Sequence, residues 1–292
     1  SHDWRRPMNI EYFDGSSHAP AINQIGEMRI SGGGSRYQHE QKSFVIYANK
    51  RFGTKRFYHK FFANKSSIEK GNGYKSLVVR NAGNDCSYAM MRDALIQKLY
   101  GNKTNSDHLA YQPAVVYING KYWGIENIRE RSSDDYYLAN YDLAEDEIDM
   151  FDNSILQNGN ETAFKALKEL VSGTYTRNQL DAHIDIDNYL RYNVLYQFVW
   201  NPDWPGNNYV FWRPNNGKFR WVLKDLDFGF GLDRGFSGDT AANSTFYILN
   251  PGVNPNAWAY NETNTFLFRR VLADKDSAIK QIFVDYYMVT LG

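Results

Sequence analysis

Extended, β-prone runs fill the first half of the chain, and helical spacing of apolar residues takes over in the second. Glu27-Met-Arg-Ile-Ser31 and Lys42-Ser-Phe-Val-Ile-Tyr-Ala48 read as strands joined by Gly32-Gly-Gly-Ser-Arg-Tyr-Gln-His-Glu-Gln41. Tyr74-Lys-Ser-Leu-Val-Val-Arg80 reads as another. After it, Asp85 or Ser87 is placed to cap a helix in which Met90, Met91, Ala94, Leu95 and Leu99 keep helical spacing, with Gly101 as its stop. Ala114-Val-Val-Tyr-Ile118 and the run Tyr122 to Glu130 flank Asn119-Gly120. Asn-Gly supplies the left-handed pair of residues that a tight hairpin needs, so a hairpin is predicted. The acidic stretch Arg131 to Asp149 reads as a hinge into a second lobe.

Beyond it, Asn160 or Thr162 starts a helix through Phe164, Leu167 and Leu170 that ends at Gly173. A longer helix begins near Asp185 and places Ile186, Tyr189, Leu190, Val194, Phe198 and Val199 largely on one face. It ends at Trp200, because Pro202 disfavours helix in the residue before it. A polar loop, strand Tyr209–Arg213, turn Pro214-Asn-Asn-Gly217 and strand Lys218–Lys224 follow. Residues 233–262, rich in Gly, Asn and Ser, read as a long loop, and Asp276 to Met288 as a final helix. The expected class is α+β.

Composition narrows the function classes. The 292 residues carry 33 Lys plus Arg against 33 Asp plus Glu, so no global field draws in nucleic acid or anionic membrane. One cysteine, Cys86, rules out an intrachain disulfide and a multi-cysteine metal site. The six histidines show no paired-ligand spacing, which argues against a zinc enzyme. No apolar run approaches the roughly 20 residues needed to span a bilayer. The chain begins at Ser1, as a trimmed product would.

The candidate chemistry lies in Asn201-Pro-Asp-Trp-Pro-Gly-Asn-Asn208 and Lys224-Asp-Leu-Asp-Phe-Gly-Phe-Gly231. An Asp, an Asn five positions on, and a second acidic cluster after a strand is the layout by which protein kinases hold metal and ATP. Asp203 fits the residue that orients the acceptor hydroxyl; Asn208 with its neighbour Asn207, and Asp225 with Asp227, fit the metal ligands. Two apart on a strand, Asp225 and Asp227 would face the same side. Asp, Asn, Pro and Gly are equally the residues of ordinary turns. Gly33 and Gly34 lie where a glycine loop would cover phosphates, or where a plain hairpin needs unusual backbone angles. Arg36 and Lys42 are within reach of phosphates or are solvated surface charges. Glu126 and Glu130 form a cross-strand charge pair or border a nucleotide pocket.

Several blocks resemble the CotH kinase family, relatives of spore coat protein H. They are Gly32-Gly-Gly-Ser-Arg36 with Gln41-Lys-Ser-Phe44, Leu77-Val-Val-Arg-Asn-Ala-Gly-Asn-Asp85 with Met91-Arg-Asp93, Tyr117-Ile-Asn-Gly-Lys-Tyr-Trp-Gly124 with Arg129-Glu130, and the two segments around Asp203 and Asp225. The resemblance implies a divergent two-lobed protein-kinase-like fold, with a β-rich N-terminal lobe to about residue 130 and a mainly helical C-terminal lobe over 131–292. It implies ATP with Mg²⁺ or Mn²⁺, a Ser/Thr-bearing protein substrate, and a secreted or cell-surface location. Carried over by position, Asp203 is the loop aspartate, Asn208 the paired amide, and Asp225 the metal-binding aspartate, ahead of Asp227. Arg36, Lys42, Gly33, Gly34 and Glu130 form the nucleotide-binding set. Family members continue with further C-terminal helices, so a truncated C-lobe is expected. The competing reading is a non-catalytic surface protein or pseudokinase that binds glycan or protein through Trp204, Trp212, Trp221 and Trp258.

Overall fold

The computed structural model describes residues 4–63, 73–232, 262–273 and 277–291. The chain begins with β1 (Arg6–Tyr12), β2 (Ile22–Ile30), the one-turn helix α1 (Ser35–Gln38), β3 (Phe44–Ala48) and β4 (Ser76–Arg80). Helix α2 (Arg92–Lys103) and β5 (Asp107–His108) follow, then β6 (Tyr111–Ile118), β7 (Lys121–Arg129) and α3 (Asp134–Tyr141). Next come β8 (Ile148–Asp152), β9 (Ile155–Asn158), α4 (Thr162–Ser172), α5 (Arg177–His183) and α6 (Ile186–Phe198). Strands β10 (Val210–Pro214) and β11 (Arg220–Leu223) precede α7 (Glu262–Ala273) and α8 (Ser277–Leu291). The class is α+β. The chain divides into two compact units, Ser1–Ala94 with Leu109–Glu145 and Leu95–His108 with Asp146–Gly292.

The first unit is built on an antiparallel six-stranded sheet in the order β1-β2-β3-β4-β7-β6. Alternation assigns its two faces different work. Phe44, Ile46, Leu77, Val79 and Ile128 join Phe57, Phe61 and Phe62 in one apolar cluster. The opposite face carries a cross-strand row of Arg29, Val45, Val78 and Arg129. The Asn119-Gly120 turn forms as expected, with φ of 51° and 75°. The glycine segment connects paired strands, as expected, but holds the short helix α1.

The helix anticipated from Asp85 starts later, at Arg92. The Asp85 carboxylate accepts the backbone N–H groups of Ala89, Met91 and Arg92 at 3.0–3.1 Å and the Arg92 Nε at 2.9 Å. It thereby fixes an irregular turn ahead of the helix instead of the helix itself. Gly101 does not stop α2, which runs on to Lys103. A Cβ at that glycine would lie 2.2 Å from Nδ1 of His108, so the residue is explained by close approach rather than by a cap.

In α2's first turn the buried Asp93 accepts from the buried Arg129 guanidinium of β7. Removing one partner leaves the other charge buried without compensation. Asp93→Ala is therefore expected to cost about 3–5 kcal/mol, read as a lower urea midpoint. An unchanged midpoint would show that the guanidinium finds another partner or water.

The second unit combines helices with a five-stranded sheet in the order β5-β11-β10-β8-β9, in which β5 and β11 are parallel. Helix α6 is buried on most of its circumference and runs through the core, with Asn188, Asn193 and Gln197 buried among its apolar residues. Asp185 caps it by accepting from the Asn188 N–H at 3.1 Å. Asn188 in turn bonds both backbone groups of Trp221, at 2.7 Å and 3.3 Å, tying α6 to β11. Phe151 stacks on Phe211 at 4.8 Å, and Phe211 on Trp221 at 5.7 Å. The stretch read as a polar hinge holds α3 and the start of β8. The β8–β9 turn uses Asn153 and Ser154, both left-handed. Without glycine it carried no hairpin signal. Residues 233–261, most of the expected long loop, and Trp258 lie outside the described residues.

Candidate functional site

Helix α6 ends where Trp200 turns left-handed at φ 49°. The chain then enters a loop organised by Asn201, whose Oδ1 accepts from the Asp203 N–H at 3.1 Å and whose Nδ2 donates to the Asp225 carbonyl at 2.9 Å. One side chain thus ties the two sequence-predicted segments together. Trp204 and Pro205 are joined by a cis peptide bond, and the Trp204 Nε1 donates to the Tyr192 hydroxyl at 2.9 Å. Asp203 is buried. Its Oδ2 accepts from the side-chain amides of Asn208, at 2.8 Å, and Asn207, at 3.3 Å.

Strand β11 ends at Leu223. The Tyr196 hydroxyl donates to the Lys224 carbonyl and accepts the Lys224 N–H at 2.9 Å, fixing the exit of the strand. The Lys224 ammonium pairs with Asp152 at 2.8 Å. Asp225 then adopts φ 54° and Asn208 φ 61°, a conformation that is uncommon outside glycine and clusters at functional sites. The alternation that placed Asp225 and Asp227 on one side does not apply, because the strand has already ended. Asp227 is buried at 1% exposure, while Asp225 is half-buried.

Burial first and the negative charge of Asp225 second raise the Asp203 pKa to about 6, against the amides of Asn207 and Asn208, which pull it down. The amides of Asn207 and Asn208 turn their nitrogens toward Asp203, and two carboxylates close enough to repel offer oxygen donors with surplus negative charge. That is the chemistry a hard divalent cation satisfies. Asn207 and Asn208 are not equivalent here. The Asn207 Oδ1 already accepts from Asn153 at 3.2 Å, whereas no described residue donates to the Asn208 oxygen. Among the described residues no three His, Cys, Asp or Glu side chains gather in a metal-holding group.

In the first unit, the Arg36 guanidinium donates to the Ile30 carbonyl at 3.3 Å and the Lys42 ammonium to the His39 carbonyl. Both fold back on the segment carrying Gly33 and Gly34. Glu130 is buried; its Oε2 accepts the Ala110 N–H at 2.8 Å and its Oε1 accepts from Asn140 at 3.0 Å, which ties β6 to α3. Glu126 does not pair across the strands with Glu130. Gln41 reaches it at 3.2 Å, and burial pushes its pKa up to about 8.

Arg80 was absent from the sequence-derived set. It ends β4, two residues after Val78, and so belongs to the face that carries Val45, Val78 and Arg129. The available signal was Leu77-Val-Val-Arg80, an apolar strand closing in a cation after a glycine loop, as in the kinase template. The tryptophan reading is corrected by burial. Trp204, Trp212 and Trp221 are 6%, 1% and 1% exposed and serve the core of the second unit.

No curated protein matches the chain. Residues 28–292, nearly the whole sequence, match the family described as CotH kinase protein, and the chain belongs to that family of kinase-like proteins.

Proposed function

We propose that this protein is a metal-dependent protein kinase of divergent two-lobed architecture. An N-lobe of about residues 1–130 and a C-lobe over 131–292 act as one domain, transferring the ATP γ-phosphate to Ser or Thr hydroxyls of a protein acceptor outside the cytoplasm. The observation that carries this reading is the convergence of Asp203, Asn208 and Asp225 from two separate segments, with the Asp203 carboxyl held near neutrality.

In this reading Asp225 and the Asn208 oxygen would hold Mg²⁺ or Mn²⁺, with Asp227 nearby in sequence as a further oxygen donor, while the Asn207 oxygen stays with Asn153. The bound cation supplies neutralisation of the phosphate charge that develops during transfer. Asp203 accepts a hydrogen bond from the acceptor hydroxyl and aims its oxygen in line with the γ-phosphorus. As the new O–P bond forms, the bond to the ADP oxygen breaks and the hydroxyl proton passes to the Asp203 carboxylate. Arg80 at the end of β4 and the backbone N–H groups of Gly33 and Gly34 belong, in this reading, to the phosphate-binding set. Arg36 and Lys42 would exchange carbonyl partners for phosphate oxygens. Glu130, with both oxygens engaged, acts by positioning β7.

A proton acceptor with a pKa of about 6 makes transfer pH-dependent. The rate is expected to fall as pH drops below about 6, because protonated Asp203 cannot take the hydroxyl proton. Linkage gives a second, independent readout. Folded Asp203 keeps its proton up to about pH 6, whereas the unfolded chain releases it near the ordinary aspartate value of 3.8. Its contribution therefore favours the fold at acid pH and is lost as pH rises through 6. Asp203→Asn should flatten that part of the stability profile, measured by urea unfolding between pH 4.5 and 7, roughly the interval over which the group titrates. An identical profile in the variant would remove the raised pKa from the account.

A further inference from the structure

Strands β1 and β6 are the two ends of the first unit's sheet, and among the described residues each has one edge without a strand partner. Both nevertheless line a single cavity of about 450 Å³, so the sheet curls until its ends face a common space. Ile10, Phe44, Phe61, Val79, Val116 and Ile128 are among the residues that line it. Among the described residues, packing leaves this space unfilled. Met8, Tyr12, Met28, Ala114, Val116 and Ile118 remain only partly buried around it. A volume in the range of about 300–1,000 Å³, an apolar lining and a few polar groups at the rim are the attributes of a small-molecule site.

We infer that this cavity binds an uncharged aliphatic molecule, such as a fatty alcohol or a neutral acyl chain, independently of the phosphate chemistry proposed above. Charge selects the class. Among the described lining residues there is no lysine or arginine, and Glu11 is the one acidic residue. A fatty carboxylate would bring its charge to a rim that offers repulsion and no cation. A hydroxyl headgroup meets the Asn119 amide and the backbone groups along the two strand edges, while the Asn9 amide is held by Asn23 at 3.3 Å.

The test is displacement of the neutral dye N-phenyl-1-naphthylamine from the full chain by straight-chain alcohols and by the matching carboxylates. The alcohols should compete saturably, tightening about fourfold per added methylene until the cavity is full, since each buried methylene contributes near-constant transfer free energy. The carboxylates at pH 8 should bind at least tenfold more weakly. Ala114→Trp, which fills the cavity from β6, should abolish dye binding. Tyr122→Trp, on an exposed side chain outside the cavity, should leave it unchanged. Unsaturable dye binding by the parent protein, or alcohols that show no chain-length dependence, would overturn the inference whatever the variants do. So would dye binding that survives in an Ala114→Trp protein whose melting is unaltered, or carboxylates that bind as tightly as alcohols. Should Ala114→Trp fail to fold, Ile118→Phe at the end of the same strand replaces it, with weakened dye binding expected.

Discussion

Replacing Asp203 with alanine is expected to lower phosphate transfer to a serine-containing protein about 10²–10⁴-fold, the contribution of a positioned proton acceptor. The rise in melting temperature produced by ATP and Mg²⁺ should stay close to that of the parent. A turn-residue role predicts a different pair of results. The Asp203 carboxylate holds the amides of Asn207 and Asn208. Losing that hold costs about 0.5–2 kcal/mol, as for a lost helix cap, with turnover preserved in the molecules that remain folded. Asp203→Asn sharpens the distinction, since an amide oxygen still accepts from Asn208 but takes no proton. Loss of transfer in both variants with a near-parental melt of Asp203→Asn assigns the chemistry to the carboxylate. Full transfer in either variant would return Asp203 to a structural role.

Asp225→Asn is expected to abolish metal-dependent nucleotide binding and leave the fold intact. Asparagine is chosen because Asp225 sits at φ 54°, a conformation asparagine tolerates better than most side chains. The backbone carbonyl that Asn201 binds is also unaffected by this exchange. The substitution removes one cation ligand and, at the same time, the charge that helps raise the Asp203 pKa. The Asp203 carboxyl should therefore ionise at lower pH in the variant, a shift observable in the apo protein by carboxyl-carbon resonance. Calorimetric titration with Mg²⁺-ATP reads the main effect. Binding as tight as the parent's would mean that the cation is held elsewhere.

The strands of the first unit were legible because apolar alternation and Asn119-Gly120 are local signals, and the spacing from Asp203 to Asn208 was legible for the same reason. What escaped depended on partners distant in sequence. Gly101 reads as a helix stop until His108 is seen against it. Asp225 and Asp227 read as strand neighbours until β11 ends at Leu223 and Asp225 turns left-handed. Asn207 and Asn208 are indistinguishable as text. Asn153, in a hairpin turn some fifty residues earlier, occupies the oxygen of one and leaves the other open. Trp212 and Trp221 looked like a recognition surface because their aromatic character is visible in sequence and their burial in the second unit's core is not. Arg80 needed strand register, which places it on the face of Val45 and Val78 and away from the apolar cluster.

The central claim is that Asp225 and Asn208 hold a nucleotide-bound cation beside Asp203. Crystals grown with Mn²⁺ and a non-hydrolysable ATP analogue test it directly through the anomalous signal of manganese. The account predicts a peak ligated by an Asp225 carboxylate oxygen and the Asn208 side-chain oxygen, bridging to the phosphates, with the terminal phosphate facing Asp203. A manganese peak bound away from both residues, or nucleotide seated with its phosphates remote from Asp203, would contradict it.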